Sequence, residues 1–158
     1  FPDVFHRVID LYKRLIKEKV MEYDRIAGVP TAGIPFASVI AYDLHKPFLY
    51  IRKEAKTHGR ERLVEGYLAP GDKVLIVDDL ATTGKSSAEA VEAVRKEGGV
   101  VTDLVVLVDR LEGASSRMDE ANIRLHSVIT IKDLADHLYD SGVITRDQLD
   151  EILRQTRS

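Results

Sequence analysis

Val74-Leu75-Ile76-Val77-Asp78-Asp79-Leu80-Ala81-Thr82-Thr83-Gly84-Lys85-Ser86 joins a continuous apolar run to two adjacent acids, and those to a turn rich in small hydroxyl residues. The run follows the turn signal Pro70-Gly71-Asp72 and has the pattern of a strand buried on both faces of a parallel sheet, which we place at 73–77. Burying two unpaired carboxylates would cost too much desolvation energy, so Asp78 and Asp79 are expected to face a solvated crevice at the strand's end. There they suit sugar hydroxyls or a cation. Thr82, Thr83, Gly84 and Ser86 then offer backbone amides, small hydroxyls and a permissive glycine at the start of a helix, which suits a bound phosphate. Gly84-Lys85-Ser86 ends like a nucleoside-triphosphate P-loop, but that motif needs a glycine five residues before Gly84, where Asp79 stands. The bland alternative is an ordinary strand-to-helix turn with two capping aspartates.

Outward from this stretch, strands and helices alternate. Val8, Ile9, Leu11, Tyr12, Leu15, Ile16 and Val20 recur at helical spacing in an amphipathic opening helix over 4–21. A buried strand at 25–29, the turn Pro30-Thr31-Ala32-Gly33 and a helix at 34–44 follow, then a strand at 48–51. Beyond the central strand come a helix at 86–96 ended by Gly98-Gly99, strands at 102–108 and 123–131, and helices at 132–139 and 146–154. Thr145 and Gln148 form a capping-box pattern before the last helix. Such alternation predicts an α/β fold: a doubly wound, Rossmann-like parallel sheet of about five strands with helices on both faces, and ligands at the carboxyl ends of the strands.

The 158 residues fit one domain spanning 1–158, and 44% hydrophobic with 31% charged residues argues against disorder. The apolar runs are too short to cross a bilayer, so the chain reads as soluble with no membrane partner. Cysteine is absent, which excludes disulfides, thiolate metal sites and a cysteine nucleophile and, with no signal-like start, favours a cytoplasmic location. A net charge of -3 gives no global attraction to nucleic acid, so an anionic ligand must be held locally. His6, His45, His126 and His137 have no metal-ligand spacing and enter no Ser/His/Asp set, and they read as structural. The tyrosines and leucines of the opening helix read as core or dimer packing.

Two other segments carry chemistry. Arg52-Lys53-Glu54-Ala55-Lys56-Thr57-His58-Gly59-Arg60-Glu61-Arg62 shows no apolar period and holds five cations and a histidine. Seen alone it is a solvated surface loop. Val108-Asp109-Arg110-Leu111-Glu112-Gly113 ends a predicted strand at the crevice, where the planar guanidinium of Arg110 suits a carboxylate. A surface ion pair with Glu112 is its plainer reading.

Taken in order, these segments resemble the type I phosphoribosyltransferases. The apolar strand, acid pair and Thr/Gly-rich loop match their phosphoribosyl pyrophosphate signature, and Arg-Lys-Glu-x-Lys-x-His matches the catalytic loop of the orotate phosphoribosyltransferases. The runs 28–33, 62–66 and 123–128 are similar to the transferase half of bifunctional uridine monophosphate synthases and to archaeal relatives. The resemblance implies that Asp78 and Asp79 contact the ribose 2- and 3-hydroxyls, and that Leu80, Ala81, Thr82, Thr83, Gly84, Lys85 and Ser86 form the loop that wraps the 5-phosphate. Thr82 would also reach the base, Arg110 would bind orotate's carboxylate, and Thr31 and Ala32 would line the pyrophosphate, although many relatives carry a lysine where Ala32 stands. Arg52, Lys53, Lys56 and His58 would serve the donor, with Lys56 and His58 closing over the site of a neighbouring subunit in a homodimer. Mg²⁺ would arrive on the pyrophosphate, with no protein ligand assigned. Family members carry a segment ahead of the opening helix that forms part of a hood over the base. This chain opens at Phe1, so a trimmed front and an absent hood are expected.

Two other readings stay open at this stage. One is a regulator that binds phosphoribosyl pyrophosphate without turnover, and the other is a phosphoribosyltransferase acting on a purine base. The basic loop argues against the first and Arg110 against the second.

Overall fold

Residues 1–52 and 63–156 are described in the computed structural model. In order these are α1 (Pro2–Lys19), β1 (Arg25–Gly28), α2 (Gly33–Asp43), β2 (Phe48–Ile51), β3 (Val64–Glu65), β4 (Val74–Ala81), α3 (Lys85–Lys96), β5 (Asp103–Asp109), α4 (Ala114–Glu120), β6 (Arg124–Thr130), α5 (Ile131–Asp140) and α6 (Arg146–Gln155).

Because side chains alternate along a strand, the unbroken apolar run of β4 feeds two cores at once. Val74 and Ile76 pack with Val91 and Val94 of α3 and Met118 of α4, while Leu75 and Val77 pack with Ile9, Tyr12 and Ile16 of α1 and Ile40 of α2. Helices therefore cover both faces, as the alternation predicts. The strand order is β3-β2-β1-β4-β5-β6, parallel throughout except for β3 against β2. From β1 the chain winds outward through β2, and from β4 it winds outward the other way through β5 and β6. The order thus reverses between β1 and β4, and a crevice opens at their carboxyl ends.

The structure corrects the predicted layout in three places. Among the described residues the sheet has six strands rather than about five, and the added β3 is antiparallel. At two residues β3 is too short for an alternating pattern to appear in sequence; it is held by the pairs Tyr50↔Glu65 and Ile51↔Val64. β4 runs on through the acid pair to Ala81, because β5 accompanies it as far as Ala81↔Asp109. α4 was not predicted, since only Ala114 and Met118 of its seven residues are buried, too few to show a period. The capping box at Thr145 and Gln148 is present.

Ile76 is fully buried at the centre of the sheet. Ile76→Ala is expected to lower the unfolding free energy by roughly 2–5 kcal/mol, read as a fall in the urea midpoint at unchanged slope. A loss under about 1 kcal/mol would place Ile76 outside the main core.

Candidate functional site

β1 pairs with β4 only as far as Gly28↔Val77, after which Val29 donates its N–H to the Val77 carbonyl at 3.0 Å and the chain turns through Pro30, Thr31 and Ala32 into α2. The Pro30–Thr31 peptide is cis. Four residues of β4, Asp78 to Ala81, therefore continue past β1 with an open edge. The start of α2 closes on that edge so tightly that a Cβ at Gly33 would lie 2.6 Å from the Val77 oxygen and 2.9 Å from the Asp78 Cα. Only glycine leaves room for this approach.

The two acids do not share an environment. The two carboxyls differ in burial although they stay close enough to act on each other. Asp78 is only 5% exposed, which overturns the expectation that both acids face solvent, whereas Asp79 is half-buried. Asp78 Oδ1 accepts the Asp79 backbone N–H at 2.9 Å, and the Tyr12 hydroxyl donates to the Asp78 carbonyl at 2.6 Å. Burial pushes the Asp78 carboxyl up to about 8; the neighbouring Asp79 side chain adds to this, and the Asp79 amide and Ser87 oppose it. The isolated cost of burying a carboxylate is thus lowered by protonation.

After the acids, Ala81 is buried, Leu80 and Thr83 are exposed, and Thr82 is half-buried. Gly84 takes φ +73° at the N-cap of α3, a left-handed conformation open to glycine at no steric cost. No side chain caps this helix and its first turn holds no acid, so the first-turn amides and the positive end of the helix dipole are available to an anion beside the exposed Lys85 and Ser86. The loop's carbonyls are held away from that role. Ala114 donates its N–H to the Thr82 carbonyl at 3.1 Å, Arg110 donates its own to Ala81 at 2.9 Å, and the Arg117 Nε donates to Thr83 at 2.8 Å. Arg117 and Ala114 are contributors that sequence reading missed, since α4 carries no periodic signal.

Arg110 lies half-buried just beyond β5, and its Nη2 pairs with the Glu112 Oε1 at 2.7 Å. Arg52, beyond β2, donates from Nη1 to the Glu65 Oε1 at 2.8 Å and lines a cavity of about 430 Å³ with Pro30, Leu63, Ser86 and Glu89. Exposed Thr31 and Ala32 lie at the mouth of the β1 turn. The parallel sheet thus brings Thr31, Ala32, Arg52, Asp78–Ser86 and Arg110 to one edge. Lys53, Lys56 and His58 lie outside the described residues. His126 sits at the opposite end, bonded through Nε2 to Asp103 Oδ1 at 2.7 Å, in keeping with a structural role. A separate groove of about 680 Å³ runs along α1 past Lys13, Arg14 and Tyr23. Neither acid lines it, and Lys13 there is already paired with Asp10 and Asp43.

A family model described as Phosphoribosyl transferase domain matches residues 2–132. An orotate phosphoribosyltransferase of Sulfolobus acidocaldarius is 44% identical over 147 residues, 93% of this chain and 73% of the relative. Among solved structures, the UMP synthase of Leishmania donovani superposes with a TM-score of 0.89 at 32% identity, over 99% of this chain and 33% of that longer one. The orotate phosphoribosyltransferase of Aeropyrum pernix does so with a TM-score of 0.77 at 34% identity, over 90% and 78% of the two chains.

The raised pKa of Asp78 makes a pH prediction. The folded protein holds this proton up to about 8, whereas the unfolded chain releases it near the ordinary carboxylate value of 3.8. Between those values the folded state binds more protons, so this group lowers stability progressively as pH rises. Asp78→Asn is expected to be more stable than the parent at pH 8 by on the order of 1–3 kcal/mol, with the gain fading toward pH 4. Urea unfolding at both pH values checks this. A difference independent of pH would show that Asp78 titrates normally.

Proposed function

This chain belongs to the orotate phosphoribosyltransferases, within the phosphoribosyl transferase domain family, and from that membership we propose how its site works. A ring nitrogen of orotate attacks C1 of phosphoribosyl pyrophosphate, the bond from C1 to the pyrophosphate oxygen breaks, pyrophosphate leaves with the bonding pair, and the proton of the ring nitrogen passes to pyrophosphate. The products are orotidine 5-phosphate and pyrophosphate, in a pentosyl-transfer step of UMP biosynthesis.

The observation that carries this reading is the acid pair beside an uncapped helix start at the point where the strand order reverses. The α3 amides, Thr82, Thr83, Ser86 and Lys85 receive the 5-phosphate. Asp79 is the accessible carboxylate for the ribose hydroxyls, and Asp78, holding the Asp79 amide, fixes the backbone that presents it. Positive charge builds on the sugar as the C1 bond breaks, and a carboxylate already in place stabilises it without reorganisation. Thr31 and Ala32 flank the pyrophosphate from the β1 turn. The fork of Arg110 takes orotate's carboxylate, exchanging Glu112 for the ligand, and Thr82 approaches the base. The hard oxygen donor that Asp79 presents beside the phosphate loop fits Mg²⁺, which supplies charge neutralisation for the departing pyrophosphate when carried in by it.

The segment from Arg52 to His58 completes the site. Its Lys53, Lys56 and His58 bring cations to the pyrophosphate and exclude water from the reacting centre, with Lys56 and His58 serving the neighbouring subunit of a homodimer. The substrates are small anions of central metabolism, and we place the enzyme in the cytoplasm.

Loss of orotate absorbance that depends on both phosphoribosyl pyrophosphate and Mg²⁺ is the expected result of a steady-state assay. Donor binding by calorimetry with no turnover would turn the reading to a binding module. Arg110→Ala removes a charge-assisted pair and is expected to raise the KM for orotate about 10- to 100-fold with little change in the KM for the donor. Equal changes in both would move Arg110 away from the base.

Mixing two inactive variants tests the shared site. Lys56→Ala and Asp79→Asn subunits, refolded together, are expected to recover roughly a quarter of parental activity, because half of the random dimers hold one intact site of two. No recovery would mean that each subunit uses its own loop.

A further inference from the structure

We propose that Tyr12 of α1 is a positioning residue for the acid pair, its hydroxyl standing between β4 and β5 and setting the strand geometry that turns Asp78 inward and leaves Asp79 to the ligand. The inference rests on the functional reading above, since it concerns how the same donor is held. Tyr12 lies on the opening helix, 66 residues before Asp78, and is 0% exposed.

Three observations converge. The Tyr12 hydroxyl donates to the Asp78 carbonyl at 2.6 Å, and the Leu107 backbone of β5 lies near enough to the phenol to bias its ionisation. In a parallel ladder continuing from Asp78↔Val106, the Leu107 N–H is the natural donor to the Asp78 carbonyl. The register runs through Val77↔Val105 and Asp78↔Val106 and resumes at Leu80↔Val108, and β5 skips Leu107 against β6 as well, so the ladder is interrupted at the residue next to the phenol's acceptor pair. Finally, Val77 belongs to the α1/α2 core and Ala81 to the α3/α4 core, although residues four apart in a regular strand share a face. The alternation of β4 is broken at the acids, beside the inserted hydroxyl.

The ring is fixed as well as the hydroxyl. Phe36 of α2 lies 5.5 Å from the Tyr12 ring centroid, with Phe5 of α1 a further 5.5 Å from Phe36, so the phenol has little freedom to withdraw. Burial, with the charges of Asp79 and Asp78, pushes the phenol's pKa far up, so it stays a donor at any working pH. Without the hydroxyl the two strands either leave two buried backbone groups unpaired or close directly on each other, and each outcome re-aims the acid pair.

Tyr12→Phe keeps the ring and removes the bond. In the intact chain, kcat/KM for phosphoribosyl pyrophosphate with Mg²⁺ is expected to fall about tenfold, with the KM for orotate within about twofold and cooperative unfolding retained. An unchanged kcat/KM for the donor in the folded variant overturns the inference, and so do equal losses for both substrates, which signal general loosening. A parent protein without turnover takes down the functional reading together with this one. Should Tyr12→Phe fail to fold, proton NMR of the parent decides. The phenolic proton of Tyr12 is expected in slow exchange, close to the Leu107 amide, and shifted when phosphoribosyl pyrophosphate and Mg²⁺ are added; a resonance that ignores the donor overturns the proposal.

Discussion

The site depends on β4 outrunning β1. These two central strands pair through Val77, and from there their crossovers depart in opposite directions while β4 continues beside β5 alone. An unpaired strand edge inside a sheet exposes backbone groups that must find partners. Here the start of α2, with Gly33 laid against Val77 and Asp78, closes one side, and the turn after β5, with Arg110 donating to Ala81, closes the other. The crevice is the space left once those obligations are met. It follows from strand order, and the acids and the hydroxyl-rich turn occupy positions that any ligand at this edge must meet.

Electrostatics explains why an acid pair can serve a ligand made of phosphates in a chain whose net charge is already -3. Two charged aspartates at the crevice would repel an anionic ligand. Because burial raises Asp78 to about 8, its protonated form is favoured and the negative charge at the crevice is lowered. Sparing one like charge at close range is worth on the order of a few kcal/mol at the dielectric of a protein surface. The positive end of α3 and Lys85 then act against a smaller opposing field. The desolvation that looked prohibitive from sequence is thereby part of what lowers the negative charge of the crevice.

Much of this was legible in the sequence, and the failures have physical causes. The central apolar run announced a doubly covered strand, since no single-faced strand tolerates Val74 to Val77 without a polar residue. The reach of that strand through Asp78–Asp79 was hidden, because carboxylates read as solvent-facing until a buried hydrogen-bonding set, here Ser87 and the Asp79 amide, is known. β3 and α4 were too short to carry a period. Arg117 and Ala114 were missed for that reason, although they anchor the carbonyls of Thr83 and Thr82. The ion pair of Arg110 with Glu112, weighed in sequence as the plain alternative, is present. It does not compete with a ligand role: a half-exposed pair is held by little free energy and is readily exchanged for a carboxylate of better geometry.

Tyr12 marks the limit of pattern reading. Helical spacing put it among the apolar residues of α1, to be used in core or dimer packing, and the structure places it in the core, but periodicity reports burial and is silent on a single polar atom carried into that core. A buried phenol must find a partner, and the partner here is the backbone of the strand that holds the acids. Each face of the sheet therefore has its own task at the crevice. The α3/α4 layer holds the carbonyls of Thr82 and Thr83 through Ala114 and Arg117, and the α1/α2 layer meets the acid pair through the Tyr12 hydroxyl and Gly33. A sheet packed on one side only could supply one of these supports and not the other, so the doubly wound architecture is a requirement of this site and not merely its container.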